Sequence, residues 1–261
     1  MKIKKIFLPL LLLSSSAFAG QDAVRIAANI RGVPQDLYYC APVAPRVAGD
    51  SRVLFAPGDG GWRGFAITIA QTMASWGYDV YGLDTNRYLS SFTRHDSVLT
   101  ENDVMSDFAQ FAAFIKERDG NGKRVHLIGW SEGAGLSVLA GSSDQNKNLF
   151  VDVIAIGLGE NNILGWRSAD YLTYLTKKEP NEPHFQTAPY LPGIAPLPVF
   201  IIQSTTDEST KPAESKRLFD LAREPKRYEL IEARNHRFDG NHEEFFRVLR
   251  DALQWTVMTR R

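Results

Sequence analysis

Residues 124–133 read RVHLIGWSEG, and a stretch rich in Gly and Ala follows at once. A short apolar, β-branched strand therefore runs straight into a turn and then a helix. Such a turn leaves room for little but glycine two residues either side of its apex, and it lifts the apex side chain clear of the sheet. Gly129 and Gly133 flank Ser131 at that spacing, with Trp130 and Glu132 between. The pattern demands an interior strand with a helix packed on it. It also aims backbone N–H groups at the helix start toward any negative charge that develops at the serine.

The rest of the chain has the same grammar. Short branched runs alternate with runs of helical period, the signature of an α/β sheet covered by helices on both faces. Strands are expected at Ala23–Ile30, Gln35–Cys40, Arg52–Ala56, Tyr78–Leu83, Arg124–Ile128, Val151–Ile156, Pro198–Gln203 and Arg227–Glu232. Helices are expected at Arg63–Trp76, Thr100–Lys116, Gly133–Ala140, Pro212–Leu221 and His242–Val257. Thr100 and Asp103 stand at the spacing of a capping box. Glu160–Pro196, after the sixth strand, is longer than an ordinary connection and carries Trp166, Tyr171, Tyr174, Phe185 and Tyr190. It reads either as a helix with a surface loop or as a cap over a site.

A serine is a poor nucleophile unless a base takes its proton and an acid orients that base. Asp207 ends the strand PVFIIQ in the run QSTTDEST, and His236 follows RYELIE in ARNHRFDG. Both fall at strand C-termini, where open α/β sheets bind ligands. Ser131 is thus the expected nucleophile, His236 the base and Asp207 the orienting acid. Glu208 is the alternative acid and His242 a rival base. His126 lies within a strand, and His95 and His184 lie in loops. The spacing of His236, Asp239 and His242 admits a metal, but no further ligand gathers with them, so neither metal nor cofactor is expected.

Gly58-Asp59-Gly60-Gly61-Trp62 follows the strand RVLFA. A glycine-rich turn there exposes backbone N–H groups, so Asp59 or Gly60 is expected to share an oxyanion hole with Glu132 N–H. A phosphate loop would need a closing Lys-Ser/Thr, which is absent. Asp59, Asp84, Glu132 and Glu160 all fall at strand C-termini and together would favour a cationic substrate group. Asp119-Gly120-Asn121-Gly122 reads as a plain turn.

Of the 261 residues, 30 are Lys or Arg and 30 Asp or Glu. That balance excludes the basic footprint of a nucleic-acid binder. Residues 1–19 (MKIKKIFLPLLLLSSSAFA) have a basic start, a short apolar run and small residues before Ala19, the form of a cleaved signal peptide. Cleavage removes three lysines and leaves 27 basic residues against 30 acidic, a net charge of −3 over an expected single domain at 20–261. The expected location is periplasmic or secreted. Cys40, the one cysteine, fits such a compartment as a buried thiol.

The order of elbow, acid and histidine resembles the α/β-hydrolase fold over nearly all of residues 20–261. More narrowly, GDGGW after a strand, followed by GYDVYGLDTNRYL, resembles the bacterial AcvB/VirJ virulence-factor family. The resemblance implies hydrolysis of aminoacyl-phosphatidylglycerol, with Ser131, Asp207 and His236 as the triad. Asp59, Trp62, Asp84 and Arg87 match the family's loop residues, and Trp62, Asp84, Arg87, Trp130 and Glu160 are the expected substrate-binding set. A small-molecule or lipid ester is the expected partner, with transient contact at a membrane surface. A generic carboxylesterase, a peptidase and a non-catalytic binding protein on the same fold are the alternatives.

Overall fold

A computed structural model describes residues 22–93, 98–119, 123–166 and 183–259. The chain opens with β1 (Val24–Ile30) and β2 (Val33–Cys40), paired antiparallel through Arg31 and Gly32. Both turn residues have positive φ, the conformation that matches a hairpin turn to strand twist. Then come β3 (Arg52–Ala56), α1 (Phe65–Ser75), β4 (Asp79–Leu83), α2 (Thr85–Phe92) and α3 (Glu101–Asp119). The elbow joins β5 (Val125–Trp130) to α4 (Glu132–Ser142). Next are β6 (Phe150–Ile156), the short β7 (Asn161–Ile163) and β8 (His184–Gln186), and a 3-10 helix at Ala188–Ile194. The chain closes with β9 (Val199–Ser204), α5 (Pro212–Leu221), β10 (Lys226–Ile231) and α6 (His242–Thr259).

Eight strands form one sheet in the order β1-β2-β4-β3-β5-β6-β9-β10. β2 runs antiparallel to both its neighbours, and from β4 to β10 every pairing is parallel. β3, β6 and β9 are buried along their whole length because helices cover both faces, which is why they read as unbroken apolar runs. Alternate residues feed two cores. Leu54, Leu127 and Val153 meet α3 and α4 on one face, while Val53, Ile128 and Ile154 meet α1 and α6 on the other.

The expected sheet of eight strands is present, with ends shifted by one or two residues. Two features were not expected. α2 forms in DTNRYLSSF, and β7 pairs with β8 as a separate two-stranded ribbon. Cys40 is buried, and burial pushes its thiol up to about 11. The leader at 1–19, His95, the turn residues 120–122, and residues 167–182 of the segment read as either a surface loop or a cap, with Tyr171 and Tyr174, lie outside the described residues.

Candidate active site

Ser131 has φ 57° and ψ −124°, a strained position for a residue with a side chain. Its neighbours leave no alternative. A Cβ on Gly129 would come 2.1 Å from Gly133 O, and one on Gly133 would come 1.9 Å from Ala56 O. Ser131 N donates to Ile156 O at 2.8 Å, tying the elbow to the end of β6.

His236 lies beyond β10. Its Nδ1 is 2.7 Å from Asp207 Oδ2, and its Nε2 is buried with no hydrogen-bond partner. The ring stacks on Trp130, with centroids 5.6 Å apart. It also lies over Gly157, where a Cβ would come 2.5 Å from His236 Cε1. With φ +61°, Gly157 suits no other residue, and sequence reasoning missed it, although a glycine closing a buried strand was the available signal.

Asp207 is held on every side. Oδ2 also accepts from Gln203 Nε2 at 2.9 Å, and Oδ1 accepts from the amides of Ser209 and Thr210. Burial alone would raise this carboxyl. The hydrogen bond and charge of His236, with the two amides, outweigh it and hold the group below its ordinary range. Glu208 instead accepts from His236 N at 2.9 Å, so it fixes the backbone and not the ring. His242 stacks on Phe65, and His126 is buried against Asp152.

Ser131 and His236 line one cavity of about 660 Å³, together with Gly58, Asp59, Gly60 and Trp130. Gly61 N donates to Gly58 O at 2.9 Å, which closes the turn. The turn packs directly on the elbow, because a Cβ on Gly58 would come 3.5 Å from Ser131 Oγ.

The rest of the expected substrate-binding set is turned elsewhere. Trp62 stacks on Tyr38 with centroids 4.9 Å apart and lies across Gly82 of β4. Asp84 caps α2 by accepting from Arg87 N at 3.1 Å. Arg87 pairs with Asp36 at 2.7 Å, and Glu160 pairs with Arg217. These four do not line the cavity. Glu132 accepts from Ile163 N through its carboxyl, which burial pushes well above its ordinary range. Of the four expected acidic residues only Asp59 lines the cavity, while Glu132 lies near Asp59 and Asp84 abuts Gly61 of the glycine turn. The cavity wall instead includes Arg63, Phe65, Trp166, Glu208 and Arg237, none of them in the expected set. Trp166, from the segment with a surface loop and a cap as its two readings, was the foreseeable one. Among the described residues no three His, Cys, Asp or Glu side chains gather to hold a metal, and no helix is long and apolar enough to cross a membrane.

Comparison with known proteins agrees with this architecture. The family described as bacterial virulence protein (VirJ) matches residues 50–256. Solved structures share the fold at low identity. Est1E from Butyrivibrio proteoclasticus is 13% identical with a TM-score of 0.64, over 91% of this chain and all of that one. An α/β serine hydrolase without a lid from Xanthomonas campestris is 14% identical with a TM-score of 0.60, over 89% and 94%. A membrane phospholipase A, a bacterial virulence factor, is 15% identical with a TM-score of 0.62, over 90% and 87%. A polyketide transferase, ATR5, from Stachybotrys chlorohalonatus (strain IBT 40285) is 37% identical over 46 residues, which span 18% of this chain and 16% of that protein.

Proposed function

The chain belongs to the bacterial virulence protein family VirJ, and from that membership and the geometry of the cavity we propose that it is an exported serine hydrolase that cleaves an ester through an acyl-enzyme. The observation that carries this reading is His236, gripped by Asp207 through Nδ1 while Nε2 is buried, unbonded and beside the cavity that Ser131 lines.

Ser131 Oγ attacks the ester carbonyl as His236 Nε2 takes its proton. The oxyanion is held by Glu132 N–H and by an amide of Asp59 or Gly60. His236 returns the proton to the leaving alcohol. Water, deprotonated by the same ring, then frees the acid from Ser131. Asp207 stays ionised throughout, which suits a carboxyl held low by its hydrogen bonds.

For the substrate, the reading is an aminoacyl ester of phosphatidylglycerol, supported by the family and by fold neighbours that include a membrane phospholipase A. A periplasmic or secreted protein, released after Ala19, would meet such a lipid ester at a membrane surface.

A fluorophosphonate probe tests the chemistry. Wild type is expected to label and Ser131→Ala to stay unlabelled, with hydrolysis of a neutral ester falling roughly 10³-fold or more in the variant. An unlabelled wild type would point instead to a binding protein on this fold. Release of lysine or alanine from aminoacyl-phosphatidylglycerol in mixed micelles tests the substrate. An active esterase that leaves this lipid intact would remove that part of the reading.

A further inference from the structure

Two guanidinium groups share the cavity with Ser131 and His236, and ester hydrolysis by a triad gives them no task. Arg63 lies over the glycine turn, since a Cβ on Gly60 would come 3.1 Å from its Nη2. Arg237 directly follows His236. Both residues are exposed, and neither side chain has an ion pair or hydrogen bond among the described residues. Several other surface arginines are engaged, Arg25 and Arg87 on Asp36, Arg46 on Asp79 and Arg217 on Glu160, while Arg223 and Arg234 also lack an ion pair among the described residues but do not line the cavity. Glu208, one of the two acidic residues of the cavity wall, is occupied by His236 N. α1 adds to the positive field. It starts at the cavity with no side-chain cap and no acidic residue in its first turn.

Two arginines that line one cavity from different stretches of the chain, one after β3 and one after β10, suit a tetrahedral anion better than a planar carboxylate. A phosphate offers oxygens in several directions, and each guanidinium can take two. The buried, unbonded His236 Nε2 places the reacting bond in the same space. We propose that Arg63 and Arg237 form a subsite for a phosphate group carried by the ester's alcohol portion. This deepens the hydrolase reading and rests on it for the position of the reacting bond. It also revises the electrostatic expectation, because the charge recognised here is negative.

The test titrates the whole protein by calorimetry with glycerophosphoglycerol, a soluble phosphodiester with no carboxylic ester, with inorganic phosphate, and with glycerol. Wild type is expected to bind the phosphodiester and not glycerol. Arg63→Met and Arg237→Met should each weaken binding about tenfold, as loss of a charge-assisted hydrogen-bond pair implies. Replacement of both by lysine should recover part of the loss. Tighter binding of the phosphodiester than of inorganic phosphate assigns a lipid-type headgroup, and the opposite order assigns free phosphate. The first order supports the proposal, and the second overturns its assignment to the ester's alcohol portion. Equal affinity in wild type and the double methionine variant, or no phosphate-dependent binding by wild type, overturns it. Kinetics give a second readout. The ratio of kcat/KM for an aminoacyl ester of a glycerol phosphodiester to that for the neutral glycerol ester should fall toward one in the double methionine variant. The fluorophosphonate result stands apart from these, so a failed hydrolase reading and a failed subsite give different patterns.

Discussion

Glu132 follows the elbow serine, yet its carboxyl faces away from the reacting groups and accepts from Ile163 N at 2.6 Å. Burial, with the nearby charge of Asp59, lifts this carboxyl well above the ordinary 4.5 of a glutamate despite that hydrogen bond. The sign of the linkage follows. The native state holds the proton more tightly than the unfolded chain, so stability falls as pH climbs from about 4.5 toward the raised folded value. Glu132→Gln keeps an acceptor oxygen for Ile163 N and has no charge to bury. Its denaturation midpoint should match wild type near pH 4 and exceed it at pH 7 and above. A midpoint below wild type across that whole range would show that the carboxylate is stabilising where it lies. The same residue shows what sequence can carry at this scale. The positions of Ser131, Asp207 and His236 were legible because each falls just beyond the C-terminal end of a parallel strand, the edge of the sheet where the cavity lies. Asp84, Arg87 and Glu160 also sit at or near strand ends. Their directions are set by α2's own amide, by Asp36 and by Arg217, partners that local sequence does not reveal. Arg63 and Arg237 were missed for a simpler reason, since an exposed arginine ordinarily reads as a solvated one.

α2 is the element that sequence reasoning did not foresee. Thr85–Phe92 contains Asn and two serines, poor formers of a helix interior, and its eight residues are too few to be stable alone. It exists because Asp84 caps it and because Tyr88 and Leu89 are buried in the core beneath it. Tyr88 also donates to Asp107 of α3 at 2.8 Å. By contrast α3 was legible because its cap is written locally. Thr100 N donates to Asp103 Oδ2 at 2.9 Å and Asp103 N returns a bond to Thr100 Oγ1. β7 and β8 are three residues each and separated by a long segment, so no periodicity could expose their pairing. Asp84 has a second neighbour: a Cβ on Gly61 would come 2.4 Å from its Oδ1, so the cap of α2 also abuts the glycine turn. Asp84→Ala should therefore lower stability by about 1 kcal/mol, the ordinary worth of an N-cap. Asp84→Asn, which keeps the acceptor, should restore most of it in urea unfolding. If alanine and asparagine were equally destabilising, the charge rather than the cap would be what α2 needs.

On the scale of the whole molecule, alternation announced an α/β sheet but could not order its strands, because that order depends on which buried faces meet. One reason for the observed arrangement lies opposite the cavity, at the N-terminal end of the parallel strands. There His126 Nδ1 of β5 is 2.6 Å from Asp152 Oδ2 of β6, and His126 Nε2 is 3.1 Å from Asp50 O, just before β3. Thr256 of α6 donates to the same Asp152 oxygen, so one buried cluster ties three neighbouring stretches of sheet to the last helix. Burial alone would lower the pKa of His126. The charge of Asp152 and its hydrogen bond outweigh that, with Asp50 adding to them, and the net direction is upward from 6.5. A raised histidine contributes stability that is fully present below the unfolded value and is lost as pH rises through the folded one. His126→Gln removes the cationic partner and leaves Asp152 buried with only the Thr256 hydroxyl and the Leu127 amide as donors, a change that should cost about 3–5 kcal/mol. Chemical denaturation at several pH values would read this as a gap between wild type and variant that is widest near pH 6 and narrows into the alkaline range. Because the cluster lies at the far end of the sheet, the folded fraction of the variant should still label at Ser131 with the fluorophosphonate. A gap that stays constant from pH 6 to alkaline pH would mean that His126 is neutral in the folded protein, and that hydrogen bonding alone, without an ion pair, holds α6 to the sheet.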